Sequence, residues 1–425
     1  MIFSLNNSSA MEKVYAVIDI KSFYASCECA DRGLDLFTAP LVVADPERSE
    51  STIVMSVTPF LKEKYGCSNV CRVRDLPEIP GLIKAKPRMR YYLEMSAKVV
   101  SIFLDFIDEE DLHVYSVDES FLHLTPYLSM YHCTAEELVR RIQKRIKDEL
   151  GLLATAGLGP NMFMAKVCLD TDGKKRVPYL SRWTMQDVPT KLWKITPLTK
   201  IWGIGRGISS HLARLGIYNL ESLAKADTQM LQKEFGIIGL QLQNLANGKD
   251  EADVREKYVP KTRNLSVGQT LMKDYSIKGA KLLLREMNDD LCFRLRYAHY
   301  KAGCVSVYVG YAAGEGGGFS RQMSLSISTD DNDALFEAEM EIFQEFIENK
   351  PIRNLGICFS SLTPYNGQQY SLFESPEENA EKRRLYQALD EIQTTYGRNA
   401  VLRATSLTED STARMRHEQI GGHHA

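Results

Sequence analysis

Three acids stand in apolar surroundings, where an acid is expensive. The run Val114-Tyr115-Ser116-Val117-Asp118-Glu119-Ser120-Phe121-Leu122 reads as a strand that drives two carboxylates into a buried setting. Far upstream, Tyr15-Ala16-Val17-Ile18-Asp19-Ile20 does the same with one. Burying a carboxylate is costly unless it is paired or holds a metal. Two apolar runs that each end in an acid therefore point to one shared cation site. On a regular strand Asp118 and Glu119 face opposite sides. Both reach one site only if the strand bends or bulges there. The competing reading is that Asp118 is a ligand and Glu119 is solvated, or that both form surface ion pairs.

The bulk composition limits what such a site can belong to. With 425 residues, the chain is too long for one ordinary core and implies two to four domains. At 44% hydrophobic and 25% charged it is an ordinary globular protein. A formal net charge of −3 excludes a wholly basic binder, but not basic faces balanced by acidic ones elsewhere. No apolar stretch is long enough to span a bilayer. Residues 1–10 have neither a basic start nor an apolar core, so they make a poor signal peptide and Met11 is the expected start of the folded chain. Nine scattered cysteines, an odd number, fit a reducing cytosol, and a cytoplasmic location is expected. Cys67 with Cys71 and Cys27 with Cys29 lack a second pair at zinc-finger spacing, so buried free thiols are the better account.

Secondary-structure periodicities supply the framework. A strand over Val14–Lys21 leads into a helix from Ser22, with Phe23, Cys27 and Ala30 on one face. Strands at Pro40–Ala44 and Thr52–Val57 and a helix at Phe60–Tyr65 follow, then helices at Arg90–Ile107 and Ala135–Leu150. This alternation argues for an α+β or α/β catalytic core over about the first 180 residues. The chain is helical and glycine-punctuated from Val188 to Lys257, and a charged, proline-bearing linker ends that stretch. Strand, helix, strand, strand, helix, strand then run from Leu265 to Phe359, the split βαβ order of a ferredoxin-like module. One more helix is expected at Pro376–Thr394.

The segment Ala16–Glu28, which includes Phe23-Tyr24-Ala25-Ser26-Cys27-Glu28, together with Tyr115–Leu122, resembles the palm motifs of Y-family (translesion) DNA polymerases. The nearest branch is the UmuC-like one of Gram-positive bacteria. The resemblance implies an α+β right hand. Palm and fingers would occupy residues 11–180, with the fingers at about 35–85. A helix-hairpin-helix thumb would take 181–258, a ferredoxin-like little finger 262–365, and a tail 366–425. It implies template-directed extension of a primer 3′-hydroxyl with dNTPs past damaged template, at low fidelity and without proofreading. Two Mg²⁺ would be held by Asp19, Asp118, Glu119 and the backbone carbonyl of Ile20. Mg²⁺ suits such oxygen ligands, and a pair of ions can clamp both oxygens of an in-line displacement.

For the nucleotide, the resemblance makes Phe23 and Tyr24 pocket residues, with Tyr24 the steric gate against a ribose 2′-hydroxyl. From the residues alone, Tyr24 also reads as a core tyrosine on an amphipathic helix. The finger stretch Ser56–Gly66 departs from the family pattern: Phe60 and Glu63 stand where Tyr and Arg normally meet the triphosphate, leaving Lys62 and Lys64 to compensate. Met162 likewise replaces a usual Lys, while Lys166 is retained. For DNA, Leu198–Ile208 resembles a helix-hairpin-helix, with Gly203, Gly205 and Arg206 as backbone-phosphate contacts. Residues 261–301 carry nine Lys/Arg against four Asp/Glu, which reads either as a phosphate-covering face or as a solvated helix. Gln369-Tyr370-Ser371-Leu372-Phe373 looks like the peptide that docks bacterial polymerases on the sliding clamp, with Gln369, Leu372 and Phe373 as its contacts. SOS accessory proteins are further expected partners. The replaced residues at 63 and 162 leave one alternative, a catalytically weak DNA- and clamp-binding accessory factor.

Overall fold

The computed structural model describes residues 13–47, 49–365 and 376–424. They form two compact units, one ending at Lys257 and the other starting at Tyr258. The clamp-like peptide Gln369–Phe373 and Met11 lie outside the described residues.

The first unit opens with β1 (Tyr15–Ile20), α1 (Phe23–Asp31), β2 (Leu41–Val43), β3 (Ser56–Val57), α2 (Pro59–Tyr65) and β4 (Ile83–Ala85). Next come α3 (Met89–Leu104), β5 (Leu112–Val114), β6 (Glu119–His123), α4 (Thr125–Met130), α5 (Ala135–Leu150), β7 (Ala154–Gly159) and α6 (Met162–Cys168). The main sheet has the order β5-β6-β1-β7-β8, with β8 at Leu180–Arg182. Because β1 is central and paired antiparallel on both sides, its residues other than Asp19 are buried. That explains why it reads as a nearly continuous apolar run rather than an alternating one. α5 begins at a capping box made by Thr134 and Glu137 and ends at Gly151, whose φ is +68°. Its Leu138, Val139, Ile142 and Ile146 are buried.

The expected single strand over Val114–Leu122 is instead a hairpin. Strand β5 stops at Val114 and β6 starts at Glu119, so Asp118 lies in the turn between them. The turn is closed by the amides of Tyr115 and Ser116, which both donate to the Glu119 carbonyl at 3.0 Å. The Ser116 hydroxyl accepts from the amides of Asp118 and Glu119. Local side-chain bonding of this kind competes with a strand ladder, and here it wins.

Strands β3, β2 and β4 form a small separate sheet over a core of Val42, Val54, Val57, Leu61 and Ile79. The expected strand Thr52–Val57 contributes only Ser56 and Val57 to it, with an isolated bridge from Ile53 to Arg72. The helical region follows as α7 (Asp187–Thr190), α8 (Arg206–Arg214), α9 (Leu220–Ala224), α10 (Thr228–Phe235) and α11 (Ile237–Ala246). Leu198, Ile201, Ile204, Leu212, Leu220 and Leu242 share its core.

The second unit contains β9 (Leu265–Tyr275), α12 (Ile277–Tyr297), β10 (Tyr300–Tyr311), β11 (Gly318–Thr329), α13 (Asn332–Phe346) and β12 (Ile352–Ser360). Its sheet has the antiparallel order β11-β10-β12-β9. Each βαβ step is split: β12 lies between β9 and β10, and β10 between β11 and β12. After residue 375 the chain forms α14 (Pro376–Tyr396) and α15 (Ala413–His417), and this segment is tied to α12 by charge. Arg296 pairs with Asp390, Arg398 and Arg416 with Asp290, and Arg403 with Asp289. Three cations from the basic stretch 261–301 are committed within the unit: Arg296 to Asp390, Arg285 to Asp333 and Lys273 to Asp410.

Gly159 sits where β7 touches α6, and a Cβ added there would collide with the Ala165 backbone. Gly159→Ala should therefore lower stability by about 3 kcal/mol, the upper end of the usual overpacking range, because backbone cannot step aside. Denaturant unfolding of both proteins measures it.

Candidate active site

Asp19 and Glu119 are directly opposed across the β1–β6 pair. Such residues point to the same face, with side chains in contact range. Asp118 joins them from the hairpin turn, where the Ile20 amide donates to its carbonyl at 2.9 Å and its Oδ1 accepts from the Ser116 hydroxyl at 2.7 Å. The turn thus resolves the alternation problem, because Asp118 is not a strand residue. Burial pushes the Asp19 carboxyl up to about 6; Lys174 opposes the shift, and the charges of Asp118 and Glu119 add to it. Three mutually repelling carboxylates have been gathered into one place.

Two lysines offset that repulsion. Lys174 Nζ lies 3.0 Å from Asp19 Oδ2 and 3.1 Å from Asp170 Oδ1. Lys166 Nζ lies 2.7 Å from Glu119 Oε2 and 3.0 Å from Asp170 Oδ2. The side chains form a chain of alternating sign, Asp19–Lys174–Asp170–Lys166–Glu119. Burial works against the Lys174 charge, but Asp19 and Asp170 outweigh it and hold its ammonium above the ordinary lysine range. Glu119 Oε1 is buried and has no hydrogen-bond partner among the described residues. An orphaned carboxylate oxygen beside two further carboxylates fits a hard divalent cation. Among the described residues no three His, Cys, Asp or Glu side chains are already drawn together as a metal-binding group.

Beside the acids a cleft of about 340 Å³ is lined by Asp19, Asp118, Tyr24, Lys21, Lys62 and Lys174, and also by Ile20, Phe23 and Glu63. Lys21 donates to the Lys174 carbonyl at 2.9 Å, and Lys62 to the Ser22 hydroxyl at 3.0 Å. Burial lowers the pKa of Lys62, and the neighbouring Lys21 charge lowers it further. Crowded, partly buried cations of this kind favour an anion.

The remaining sequence-derived residues are placed as follows. Phe60 does not line the cleft; its ring lies 6.1 Å from that of Tyr65, with Lys64 5.1 Å above it. Met162 is buried with Tyr15, Val17 and Phe121. Lys166 lies at the acids rather than in the cleft lining. Gly203 has a φ of +89°, Gly205 is the N-cap of α8 and Arg206 is its first residue, so the three share one hairpin. The adjacent Trp202 donates to the Tyr115 hydroxyl at 3.2 Å.

Sequence reasoning missed Lys174, Lys21 and the partners of Glu28. The spacing Lys166, Asp170, Lys174 was a usable signal, since charges four apart on a helix are neighbours. Glu28 is fully buried and accepts from Arg88 at 2.9 and 3.0 Å and from the Tyr92 hydroxyl at 2.7 Å. These bonds pin α1 to α3, and Arg32 at the end of α1 adds a second guanidinium to Glu28.

A five-stranded sheet with paired acids at its centre, a finger-like subsheet, a helical hairpin region and a split-βαβ unit define a right-hand polymerase. Comparison with known proteins agrees. Residues 18–170 match the impB/mucB/samB family, and residues 262–372 match the C-terminal domain of that family. The chain is 34% identical to the putative UV-damage repair protein UvrX of Bacillus subtilis, over 96% of each chain. It is 32% identical to DNA polymerase IV 2 of the same organism, over 97% of this chain and 99% of the relative. Among solved structures, the Y-family DNA polymerase chimera Dbh-Dpo4(243-245)-Dbh superposes with a TM-score of 0.64 at 19% identity, covering 83% of this chain and 99% of that one. The chain belongs to the Y family of DNA polymerases, a metal-dependent family. Among the described residues no helix is long and apolar enough to cross a membrane.

The raised Asp19 pKa fixes a pH signature. The folded state takes up this proton near pH 6, whereas the unfolded chain waits until about 4. The penalty is therefore complete above pH 6 and gone below about 4. Asp19→Asn should stabilise the metal-free protein by about 3 kcal/mol at pH 7.5 and by little at pH 4, at roughly 1.4 kcal/mol per pKa unit, since the shift already contains the Lys174 attraction. Paired denaturant melts in EDTA at the two pH values check this.

Proposed function

We propose that this chain is a template-directed, low-fidelity translesion DNA polymerase whose active site is the acid cluster and its adjoining cleft. The observation that carries the proposal is the meeting of Asp19, Asp118 and Glu119 beside a cleft lined by three lysines and the Tyr24 ring. Asp19, Asp118, Glu119 and the Ile20 carbonyl would hold two Mg²⁺, and the orphaned Glu119 Oε1 supports that assignment. Bound there, the ions would activate the primer 3′-hydroxyl and neutralise charge on the triphosphate.

The protein's own groups do the rest. Lys21 and Lys62 offer ammonium groups to an incoming triphosphate, and Lys174 would join them once a cation takes over its partner Asp19, supplying positive charge that Glu63 and Met162 do not. Phe23 and Tyr24 wall the sugar side. The hairpin of Gly203, Gly205 and Arg206 presents amides and a guanidinium to a DNA phosphate without reading sequence. On this reading palm and fingers occupy 11–180, the thumb 181–258 and the little finger 262–365. Gln369, Leu372 and Phe373 would dock on the sliding clamp, SOS proteins would be further partners, and the enzyme would act in the cytoplasm.

Primer extension with Mg²⁺ tests the proposal. The wild type should extend, and Asp118→Ala should lose at least about a thousandfold in kcat/KM, some 4 kcal/mol of transition-state stabilisation. Its DNA affinity by fluorescence anisotropy should change little, because Asp118 lies far along the chain from the hairpin of Gly203, Gly205 and Arg206 that would hold the DNA phosphate. No extension by either protein would favour a DNA-binding accessory factor. Lys174→Ala should raise the dNTP KM about tenfold or more, as expected from losing a hydrogen bond to a charged group. Steady-state kinetics with an unchanged KM would remove Lys174 from the triphosphate site.

A further inference from the structure

We propose that Tyr92 is a positioning residue for sugar selection: it backs the Tyr24 ring and keeps it where a ribose 2′-hydroxyl would have to go. This rests on the reading of Tyr24 as the gate. Steric exclusion is only as strong as the resistance of the excluding group to being pushed aside. A half-exposed tyrosine on a helix surface has several staggered rotamers within reach, and a ring free to leave its place would admit the larger sugar.

The structure removes that freedom. The Tyr24 and Tyr92 rings are 4.8 Å apart, centroid to centroid, with 35° between their planes. Tyr24 also meets the Phe23 ring, at 5.6 Å between centroids. It also lines the cleft shared by Asp19, Asp118 and the lysines. Tyr92 itself cannot yield. It is fully buried on α3, and its hydroxyl donates to Glu28 Oε1 at 2.7 Å. Glu28 is fully buried and held in turn by Arg88 and Arg32. Tyr24 and Glu28 lie four residues apart on α1, one helical turn. One side chain of α3 therefore touches two successive rungs of α1, its ring against Tyr24 and its oxygen against Glu28. The buried Glu28 carboxylate does not belong to the acid cluster, and fixing this backstop gives it a role.

The test is the ratio of kcat/KM for a dNTP to that for the matching rNTP, measured on the full chain. Tyr24→Ala serves as the control for the gate and should lose most of the discrimination. Tyr92→Leu should reduce the ratio about tenfold, while dNTP kcat/KM stays within about threefold of wild type. Tenfold corresponds to about 1.4 kcal/mol, within reach of one aromatic pair. Tyr92→Phe keeps the ring and loses only the anchor on Glu28, so its ratio should fall between the two. A merely structural role would lower dNTP and rNTP incorporation together and leave the ratio alone. Wild-type ratios in both Tyr92 variants, with discrimination lost in Tyr24→Ala, would overturn the proposal. If Tyr92→Leu does not fold by circular dichroism, Tyr92→Phe decides, and a wild-type ratio there overturns it. Wild-type discrimination in Tyr24→Ala would overturn the gate reading and this inference together.

Discussion

Holding three carboxylates side by side is the constraint around which the first unit is organised. Each would rather be in water, and each raises the cost of ionising its neighbours. The protein meets that cost with Lys166 and Lys174, and it holds both through Asp170. The arrangement needs helix α6 and the π-helical turn Leu169–Gly173 that continues it to run close beneath the sheet. That closeness explains Gly157 and Gly159 on β7: a side chain at either would meet the backbone of the 165–169 segment. Charge balance at the site and packing beneath it are the same requirement seen from two sides.

Much of this was legible in the residues. The acids at 19, 118 and 119 stood out because apolar runs rarely carry unpaired carboxylates. The split βαβ order of the second unit followed from periodicity, since its strands alternate and its helices keep a 3.6-residue repeat. What misled was the Val114–Leu122 run. Its apolar residues continue straight across a hairpin, and nothing in hydrophobicity alone distinguishes a strand from two strands joined by a Ser116-latched turn. The supporting charges were harder still. Glu28 reads as one more polar helix residue until its partners Arg88 and Tyr92, some sixty positions away, are brought beside it. Long-range pairing of that kind leaves no trace in local spacing.

The departures at Glu63 and Met162 are intelligible in the same terms. Met162 falls within an apolar cluster with Tyr15, Val17 and Phe121, where an ammonium would be costly without a partner. Positive charge reaches the cleft by other routes: Lys21 from the end of β1, Lys62 from α2 and Lys174 from the turn after α6. What the site requires is a total of cationic charge in a confined space, and several scaffold positions can contribute it.

The basic stretch 261–301 shows the limit of counting charge along a sequence. Its excess of cations reads as a surface for polyanions, yet Lys273, Arg285 and Arg296 are engaged by Asp410, Asp333 and Asp390. Arg294 is spent on the Ser266 carbonyl and Arg263 on the Tyr300 hydroxyl. A cation already paired must give up that partner before it can neutralise a phosphate, so it contributes less than its formal charge to DNA affinity. The acids that engage Lys273 and Arg296 come from beyond residue 375, in a segment with no motif of its own. That segment is part of the second unit's electrostatics: it offers arginines to Asp289 and Asp290 of α12 and carboxylates to Lys273 and Arg296. Reversing the charge of one face alone would break this two-way match. The charge pattern of α12 therefore answers first to the chain's own C-terminal segment, and only what remains unpaired is available to a nucleic acid.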